Sequence, residues 1–255
     1  MNGLAEDDAA LTRDMLLGGR VTLLQPREGY RATTDPLLLA AAVPARAGQS
    51  VLELGCGVGT AALCLMRRVP GVRVTGVELQ AAYAALARRN ATLNDLPLEV
   101  VEGDVADLPA VVRRRQFDHV MANPPWFPPG SGAPAGRGDR ERGRREATPL
   151  ALWVDAMLRR LRSGGHFVLI QRTERLPEVL AAIGARLGAV RVLPLAGRTG
   201  RPAERFILLG RKDLRTPFTL LPPLVLHEGA RHLADRDSFT PELRAILREG
   251  AALEI

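Results

Sequence analysis

The stretch VLELGCGVGT, residues 51–60, joins a short apolar run to a segment with helical spacing. Gly55, Gly57 and Gly59 let the backbone turn tightly and approach a ligand without obstruction from Cβ atoms. A strand that ends in a glycine-rich turn and continues as a helix is the first half of a β-α-β unit. The pattern predicts an α/β domain whose ligand lies against the glycine loop.

The spacing of these glycines argues against a dinucleotide ligand. A pyrophosphate-binding turn reads G-x-G-x-x-G. This loop reads G-x-G-x-G and has threonine at position 60, where the dinucleotide pattern requires glycine. The loop therefore favours a cofactor without phosphates, in which a nucleoside and an amino-acid tail pack against the backbone.

The chain continues as alternating strand-like and helical segments. The strand-like runs are SVLEL (50–54), VRVTGVEL (72–79), LEVVEGD (98–104), QFDHVMA (116–122) and HFVLIQR (166–172). Two further runs, AVRVLPL (189–195) and ERFILLGRK (204–212), flank the turn sequence GRTGRPA. The alternation predicts a mostly parallel sheet with helices on both faces, closed by an antiparallel hairpin.

Acidic residues end the second and third strands of this series. Glu78 closes VRVTGVEL and Asp104 closes LEVVEGD. Because open α/β sheets bind ligands at the carboxyl ends of their strands, both acids should lie beside the glycine loop. Glu78 is placed to accept hydrogen bonds from the hydroxyls of a ribose, and Asp104 to accept one from the amino group of an adenine.

The fourth strand ends in NPPWF, residues 123–127. Pro124 and Pro125 cannot extend the strand, and Pro125 holds Pro124 in an extended conformation. The Asn123 side-chain oxygen and the Pro124 carbonyl are therefore candidate acceptors for the two N–H bonds of a planar amino group. Trp126 is a candidate stacking surface for the target base, and Phe127 for packing beside it.

These motifs, in this order, resemble the class I S-adenosylmethionine-dependent methyltransferases. Their loop reads E/D-x-G-x-G-x-G, which assigns Glu53 to the cofactor site with Gly55, Gly57, Gly59, Glu78, Asp104 and Asn123. The resemblance implies a Rossmann-like, mostly parallel seven-stranded sheet with a terminal antiparallel hairpin, and S-adenosylmethionine as cofactor. In such enzymes N-P-P-[YFW] marks amino and amide methyl acceptors, so Asn123, Pro124, Pro125 and Trp126 are the implied catalytic residues.

Two further segments narrow the resemblance. RATTDPLLLAAAVP (31–44) and LVLHEGARHLADRDSFTPELRAIL (224–247) are similar to segments of the bacterial tRNA(Val) adenine-N6 methyltransferases. This likeness implies tRNA as the partner, and Thr34 and Asp35 as part of the cofactor site. Asp35 also fits a simple helix N-cap. Trp126 departs from the tyrosine that this family usually carries.

Residues 128–148 are rich in glycine, proline and arginine, and they predict a long loop. Its arginines are interleaved with acids, so two interpretations stay open. The loop contacts RNA phosphates through Arg140, Arg142, Arg144 and Arg145, or it is a self-neutralising insert. The formal net charge of +7 favours a polyanionic partner.

Three alternatives to a tRNA adenine enzyme remain at this point. A release-factor glutamine methyltransferase would carry an N-terminal helical domain, for which residues 1–48 leave little room. A ribosomal RNA guanine-N2 methyltransferase often carries a duplicated domain. The non-enzymatic alternative is a cofactor-binding RNA scaffold, and the intact asparagine and glycine loop argue against it.

Composition sets the remaining expectations. The chain of 255 residues suits a single domain, with a core at 49–212, an N-terminal extension at 1–48 and a C-terminal extension at 213–255. Its two cysteines form neither a disulfide framework nor a metal-ligand spacing, which predicts a cytoplasmic protein without a metal. No apolar run approaches the ~18 residues that span a membrane. The oligomeric state is not determined by any of these features.

Overall fold

The structure is a computed structural model that describes residues 8–28, 31, 33–126, 148–229 and 238–255. Its strands are β1 Leu11–Leu16, β2 Val21–Pro26, β3 Ser50–Leu54, β4 Arg73–Glu78, β5 Glu99–Glu102, β6 Phe117–Ala122, β7 Leu161–Arg172, β8 Leu187–Ala196, β9 Ala203–Lys212, β10 Thr219–Leu220 and β11 Leu224–Val225. Its helices are α1 Asp35–Ala42, α2 Thr60–Arg68, α3 Ala81–Leu93, α4 Ala110–Arg113, α5 Leu150–Arg160, α6 Leu176–Ile183 and α7 Pro241–Arg244.

The central sheet has the order β10-β8-β9-β7-β6-β3-β4-β5, and β11 also pairs with β8. Strands β3 to β7 are parallel to their neighbours within that group, whereas β9 runs antiparallel to both β7 and β8. This arrangement confirms the mostly parallel Rossmann-like sheet and its antiparallel hairpin.

The predicted number of seven strands was wrong, because the sheet formed by the described residues has nine. Seven strands form the expected core, and the chain after β9 then passes along the outer edge of β8. It adds β10 and β11 there, each two residues long and parallel to β8. Pro222 and Pro223 lie between them and cannot donate to a ladder, which keeps both strands short.

Two hydrophobic clusters cover the two faces of the sheet. Val51 and Val168 belong to one cluster, with α1 and α2. Leu52 and Phe167 belong to the other, with α5 and α6. Successive side chains of a strand point to opposite faces, so apolar runs without polar alternation are what a sheet covered on both sides requires.

The N-terminal hairpin β1–β2 forms a separate two-stranded sheet and is attached to α3 by two asparagines. Asn94 accepts from the Thr22 N–H, and Asn90 accepts from the Leu24 N–H, both at 2.8 Å. Asn90 also donates to the Val58 carbonyl in the glycine loop at 3.0 Å. One buried side chain therefore joins the hairpin to the loop.

Candidate active site

The predicted site residues meet at the carboxyl edge of four adjacent strands. In the order β6-β3-β4-β5, the ends of these strands carry the NPPW corner (residues 123–126), the glycine loop (residues 55–59), Glu78 and Asp104. The registers place Leu54 beside both Val77 and Ala122, so the ends of the three central strands are level. The sheet topology therefore brings together segments that are up to about 70 residues apart in sequence.

The glycine loop has the backbone conformation that its sequence predicts. Gly55, Gly57 and Gly59 have φ angles of 69°, 56° and 86°, in the left-handed region that favours glycine. A Cβ atom on Gly55 would also lie 2.8 Å from the ring of Trp153, on α5. Position 55 thus requires glycine for two reasons, since the indole packs directly against the loop.

Glu78 links the glycine loop to the next strand. Its Oε2 atom accepts from the Gly57 N–H at 2.9 Å, and its Oε1 atom accepts from the Gln80 N–H at 2.9 Å. Burial raises the pKa of this carboxyl group, while those backbone donors act to lower it. Each oxygen has a further lone pair, so the carboxylate can accept ribose hydroxyls while it holds the loop.

Asp104 follows β5 and is half-buried. Its Oδ1 atom accepts from the Ala106 N–H at 2.8 Å, which fixes the side chain in a turn. The position at the strand end is the one that the sequence predicted. The adenine contact assigned to this residue stays a prediction.

Glu53 lies inside the sheet rather than at its edge. Its Oε2 atom accepts from the Ala62 N–H in the first turn of α2 at 3.0 Å. Burial, and secondarily the charge of Glu78, raises the pKa of Glu53 to about 8, so the group is mostly protonated at neutral pH. The observed role is to join β3 to α2, and a direct cofactor contact stays a prediction.

The NPPW corner contains an unpartnered acceptor. The Asn123 Oδ1 atom is buried and has no hydrogen-bond partner among the described residues. Pro124 is buried beside it, and Trp126 is half-buried. Because a buried oxygen without a partner is costly, such a group is typical of a site that a ligand completes. Phe127 and the arginines Arg140, Arg142, Arg144 and Arg145 lie outside the described residues.

Asp35 makes an ion pair instead of an N-cap. Helix α1 begins at Asp35 with Thr34 in the capping position, and no side chain caps it. The interpretation of Asp35 as the N-cap was therefore wrong. Its Oδ1 atom accepts a hydrogen bond from Arg205. Arg205, on β9, lies opposite Arg172, the last residue of β7, in the strand register. Burial raises the pKa of Asp35 more than Arg205 lowers it.

The site fits the expected S-adenosylmethionine. Three buried polar atoms without a partner in the described structure belong to residues around it: Asn123 Oδ1, Asp35 Oδ2 and Trp153 Nε1. Asn123 directly follows β6, and the ring of Trp153 packs on Gly55. Asp35 accepts a hydrogen bond from Arg205, which lies at the same edge of the sheet. Acceptors and a donor beside a glycine loop suit a ligand with an amino-acid tail and a nucleoside.

Four neighbours of the site were not identified from sequence: Asn90, Trp153, Gln171 and Arg205. Gln171 had a usable signal, because it ends the apolar run FVLIQ as Asn123 ends another. Its side-chain amide donates to the carbonyls of Pro124 and Pro125. The other three carry no local signal, because their partners are distant in sequence.

Within the described ranges, no group of His, Cys, Asp and Glu side chains is arranged to hold a metal ion. In the same part of the chain, no helix combines the length and the apolar character that crossing a membrane requires. Cys56 and Cys64 are buried free thiols, and burial raises the pKa of Cys64 to about 12.

Comparison with known sequences places the chain among methyltransferases. The family model for the methyltransferase small domain matches residues 33–132. A Porphyromonas gingivalis W83 protein named tRNA1(Val) (adenine(37)-N6)-methyltransferase is 33% identical over 181 residues, which cover 64% of this chain and 69% of that protein. A Yersinia enterocolitica protein of the same name is 34% identical over 125 residues, covering 46% and 49% of the two chains.

Solved structures agree with the fold. A protein from Agrobacterium tumefaciens described as a predicted O-methyltransferase, Atu636, superposes with a TM-score of 0.69 at 26% identity, covering 86% of this chain and 97% of that one. The Thermus thermophilus 16S rRNA N2 G1207 methyltransferase, in complex with AdoMet and guanosine, has a TM-score of 0.55 at 23% identity, with coverages of 80% and 50%. The second likeness shows the fold alone.

Proposed function

Because this chain belongs to the tRNA1(Val) (adenine(37)-N6)-methyltransferase family, we propose that it methylates the N6 amino group of an adenine in tRNA. It is an S-adenosylmethionine-dependent methyltransferase of class I. The RNA class and the target atom are the proposal. The observation that supports the target atom is the buried, unpartnered Asn123 oxygen next to the Pro124 carbonyl.

The two acceptors address the weak nucleophilicity of an aromatic amino group. Its nitrogen lone pair is delocalised into the ring, and its two N–H bonds lie in the ring plane. Hydrogen bonds to Asn123 Oδ1 and the Pro124 carbonyl draw the nitrogen toward pyramidal geometry, which localises the lone pair. Trp126 holds the ring by stacking, which is worth roughly 1–3 kcal/mol per base.

S-adenosylmethionine supplies an electrophilic methyl group on a sulfonium sulfur. Transfer forms one N–C bond and breaks one S–C bond, and the methylated nitrogen then releases a proton to solvent. Around the cofactor, Glu78 would accept hydrogen bonds from the ribose hydroxyls and Asp104 from the adenine amino group, and the glycine loop would supply close backbone contact. No side chain is needed as a general base, so catalysis rests on positioning and electrostatics.

We infer that the whole chain works as one methyltransferase domain with short extensions. Asn90 and Asn94 bond the N-terminal hairpin to α3 of the 49–212 core. From the C-terminal extension, the Leu253 N–H donates to the Ala41 carbonyl at 2.9 Å. The N-terminal hairpin therefore packs on the core, while the C-terminal extension packs on α1 of the N-terminal extension and adds β10 and β11 to the core sheet.

Mass spectrometry of nucleosides tests the proposal directly. Total tRNA and rRNA from cells lacking the protein are incubated with purified enzyme and S-adenosylmethionine, with the Asn123→Ala variant as control. We expect N6-methyladenosine to increase in tRNA only with the wild type. N2-methylguanosine in rRNA would replace the proposal with that activity, as would glutamine methylation when purified release factor is supplied in place of RNA and its peptides are analysed. Cofactor binding without any methylated product would favour a scaffold.

A further inference from the structure

Gln171 is a buried polar residue whose side chain is fully engaged. It is the penultimate residue of β7 and has no exposed surface. Its Nε2 atom donates to the Pro124 carbonyl at 3.3 Å and to the Pro125 carbonyl at 3.2 Å. Its Oε1 atom accepts from the Arg172 N–H at 2.8 Å, which fixes the orientation of the amide.

The position of Gln171 follows from the end of the β6–β7 ladder. The last paired residues are Ala122 and Leu169, so NPP continues beside Ile170, Gln171 and Arg172. Pro124 and Pro125 have no N–H groups, and a regular parallel ladder cannot continue past them. The Gln171 side chain supplies the donors for both proline carbonyls in place of that ladder.

We propose that Gln171 is a positioning residue that aims the Pro124 carbonyl at the methyl-accepting amino group. A carbonyl oxygen has two lone pairs, and Gln171 occupies one of them. The other is left for the substrate, while Asn123 Oδ1 remains wholly available. Gln171 thereby fixes the angle between the two acceptors without touching the substrate. This inference rests on the proposed function, because it assigns a partner to the amine-binding corner.

Three variants test this role. Gln171→Leu removes both donors at similar volume. Gln171→Glu keeps the shape of the side chain. The glutamate has one hydrogen-bond donor when protonated and none when ionised. Gln49→Glu makes the same chemical change at the opposite end of the sheet. There Gln49 Oε1 accepts from the Arg46 N–H and faces His119 Nε2, and a carboxylate could still accept from both.

For Gln171→Leu we expect kcat to fall about 10- to 100-fold, because a small displacement of a catalytic contact has that effect. The Kd for S-adenosylmethionine, measured by calorimetry, should stay within about twofold. For Gln171→Glu, kcat should fall further as pH rises and the carboxylate forms against two carbonyls. The wild type and Gln49→Glu should show no such fall. The charged groups around position 171 are Arg172 with Glu174, and Arg205 with Asp35.

A second measurement does not depend on turnover. The chain has only two tryptophans, so a Trp153→Phe background leaves Trp126 as the sole indole on the corner. We expect Gln171→Leu to increase acrylamide quenching of Trp126. Unchanged quenching with unchanged kcat overturns the inference, as does an equal loss of cofactor affinity and kcat. Increased quenching together with a lower kcat on an acceptor other than RNA would support the role of Gln171 and overturn only the proposed RNA substrate.

Discussion

At the scale of single residues, the proposed chemistry depends on Asn123. It is polar, follows an apolar strand and has a buried oxygen without a partner in the described structure. A stabilising role alone does not explain this arrangement, because an unsatisfied buried acceptor costs about 1–3 kcal/mol. The cost is consistent with a group whose partner is the substrate.

Replacing Asn123 with alanine should remove catalysis and spare cofactor binding. We expect kcat to fall by about 100-fold or more, as for loss of a preorganised hydrogen-bonding group. Asn123→Asp keeps an acceptor oxygen at the same reach and should retain more activity. Single-turnover methyl transfer measures the first effect, and calorimetry with S-adenosylmethionine measures the second. Wild-type kcat in Asn123→Ala would exclude this residue from the mechanism.

At the scale of elements, the glycine loop and α5 depend on each other. The loop follows from a local pattern, since three glycines with positive φ angles connect β3 to α2. The indole that limits position 55 comes from α5, almost 100 residues later in the chain. The local pattern therefore specifies the shape of the loop, and a distant helix specifies how much space it has.

Gly55→Ala and Gly57→Ala separate these two effects. Both substitutions strain a left-handed backbone, which costs roughly 1–2 kcal/mol. Only Gly55→Ala also strikes Trp153, whereas a Cβ at position 57 meets nothing within 4 Å. We therefore expect Gly55→Ala to lose about 1–3 kcal/mol more of unfolding free energy in denaturant titrations. Adding Trp153→Phe should recover part of that difference. Equal losses of unfolding free energy in the two single variants would show that the Trp153 ring moves away from the added methyl group without destabilising the protein.

At the scale of the whole molecule, the two ends of the sheet have different chemistry. The carboxyl end carries the site, and the amino end carries a stacked pair of histidines, His119 and His166, with ring centroids 5.1 Å apart. Burial lowers the pKa of both to about 4. At His119 the charges of His166 and Arg162 lower the pKa further and Asp118 opposes them, whereas at His166 the charges of Arg211 and Arg162 add to the effect of burial. His119 also faces Gln49 Oε1 at 2.9 Å.

This pair should make the protein sensitive to acid. Between pH 6.5 and about 4, the unfolded chain binds protons that the folded protein excludes, so the free energy of unfolding falls as pH falls. His119→Gln removes one of these sites and can still donate to Gln49. It should reduce the loss between neutral pH and pH 4 by about 2 kcal/mol. An equal loss of unfolding free energy in the two proteins between neutral pH and pH 4 would show that His119 does not cause the acid sensitivity.

The comparison of wild type with His119→Gln isolates the histidine from opposing groups. Glu53 has its pKa raised to about 8, so its contribution falls as pH rises from 4.5 toward 8. The pKa of Asp118 is lowered by its bonds to Ser50 and by Arg162, against the effect of burial, so its contribution is lost only at lower pH. Glu53 is present in both proteins and its effect cancels in the difference. The effect of Asp118 cancels only in part, because the charge of His119 also lowers the pKa of Asp118.

The net charge of the whole chain predicts how its affinity for the proposed RNA substrate depends on salt. Because the chain has a formal charge of +7, its affinity for tRNA should fall steeply as the salt concentration rises. The logarithm of the binding constant should fall with the logarithm of the salt concentration by a slope of about −0.7 per phosphate contact on single strands. Filter binding over a salt series measures this slope. Deleting residues 131–145, which lie outside the described structure, should reduce the slope and leave cofactor affinity unchanged. A flat salt response would indicate a protein or small-molecule acceptor.

Local sequence was sufficient wherever a short segment carries its own physical constraint. Positive φ angles require the glycines of the loop, prolines terminate β6, and strand-end acids must lie at the carboxyl edge. These constraints predicted the fold class, a cofactor without phosphates and the place of Glu78, Asp104 and Asn123, and the resemblance to the class I methyltransferases then implied S-adenosylmethionine. They act within a few residues, so no tertiary information was needed to recognise them.

The tertiary structure decided what depends on contacts between distant segments. It paired Asp35 with Arg205, set Trp153 against Gly55, and brought Gln171 to the proline carbonyls. It also added β10 and β11 to the free edge of β8, where backbone groups of the final extension find partners. A side chain cannot show in sequence which distant atom it will meet, because strand order and register make that choice.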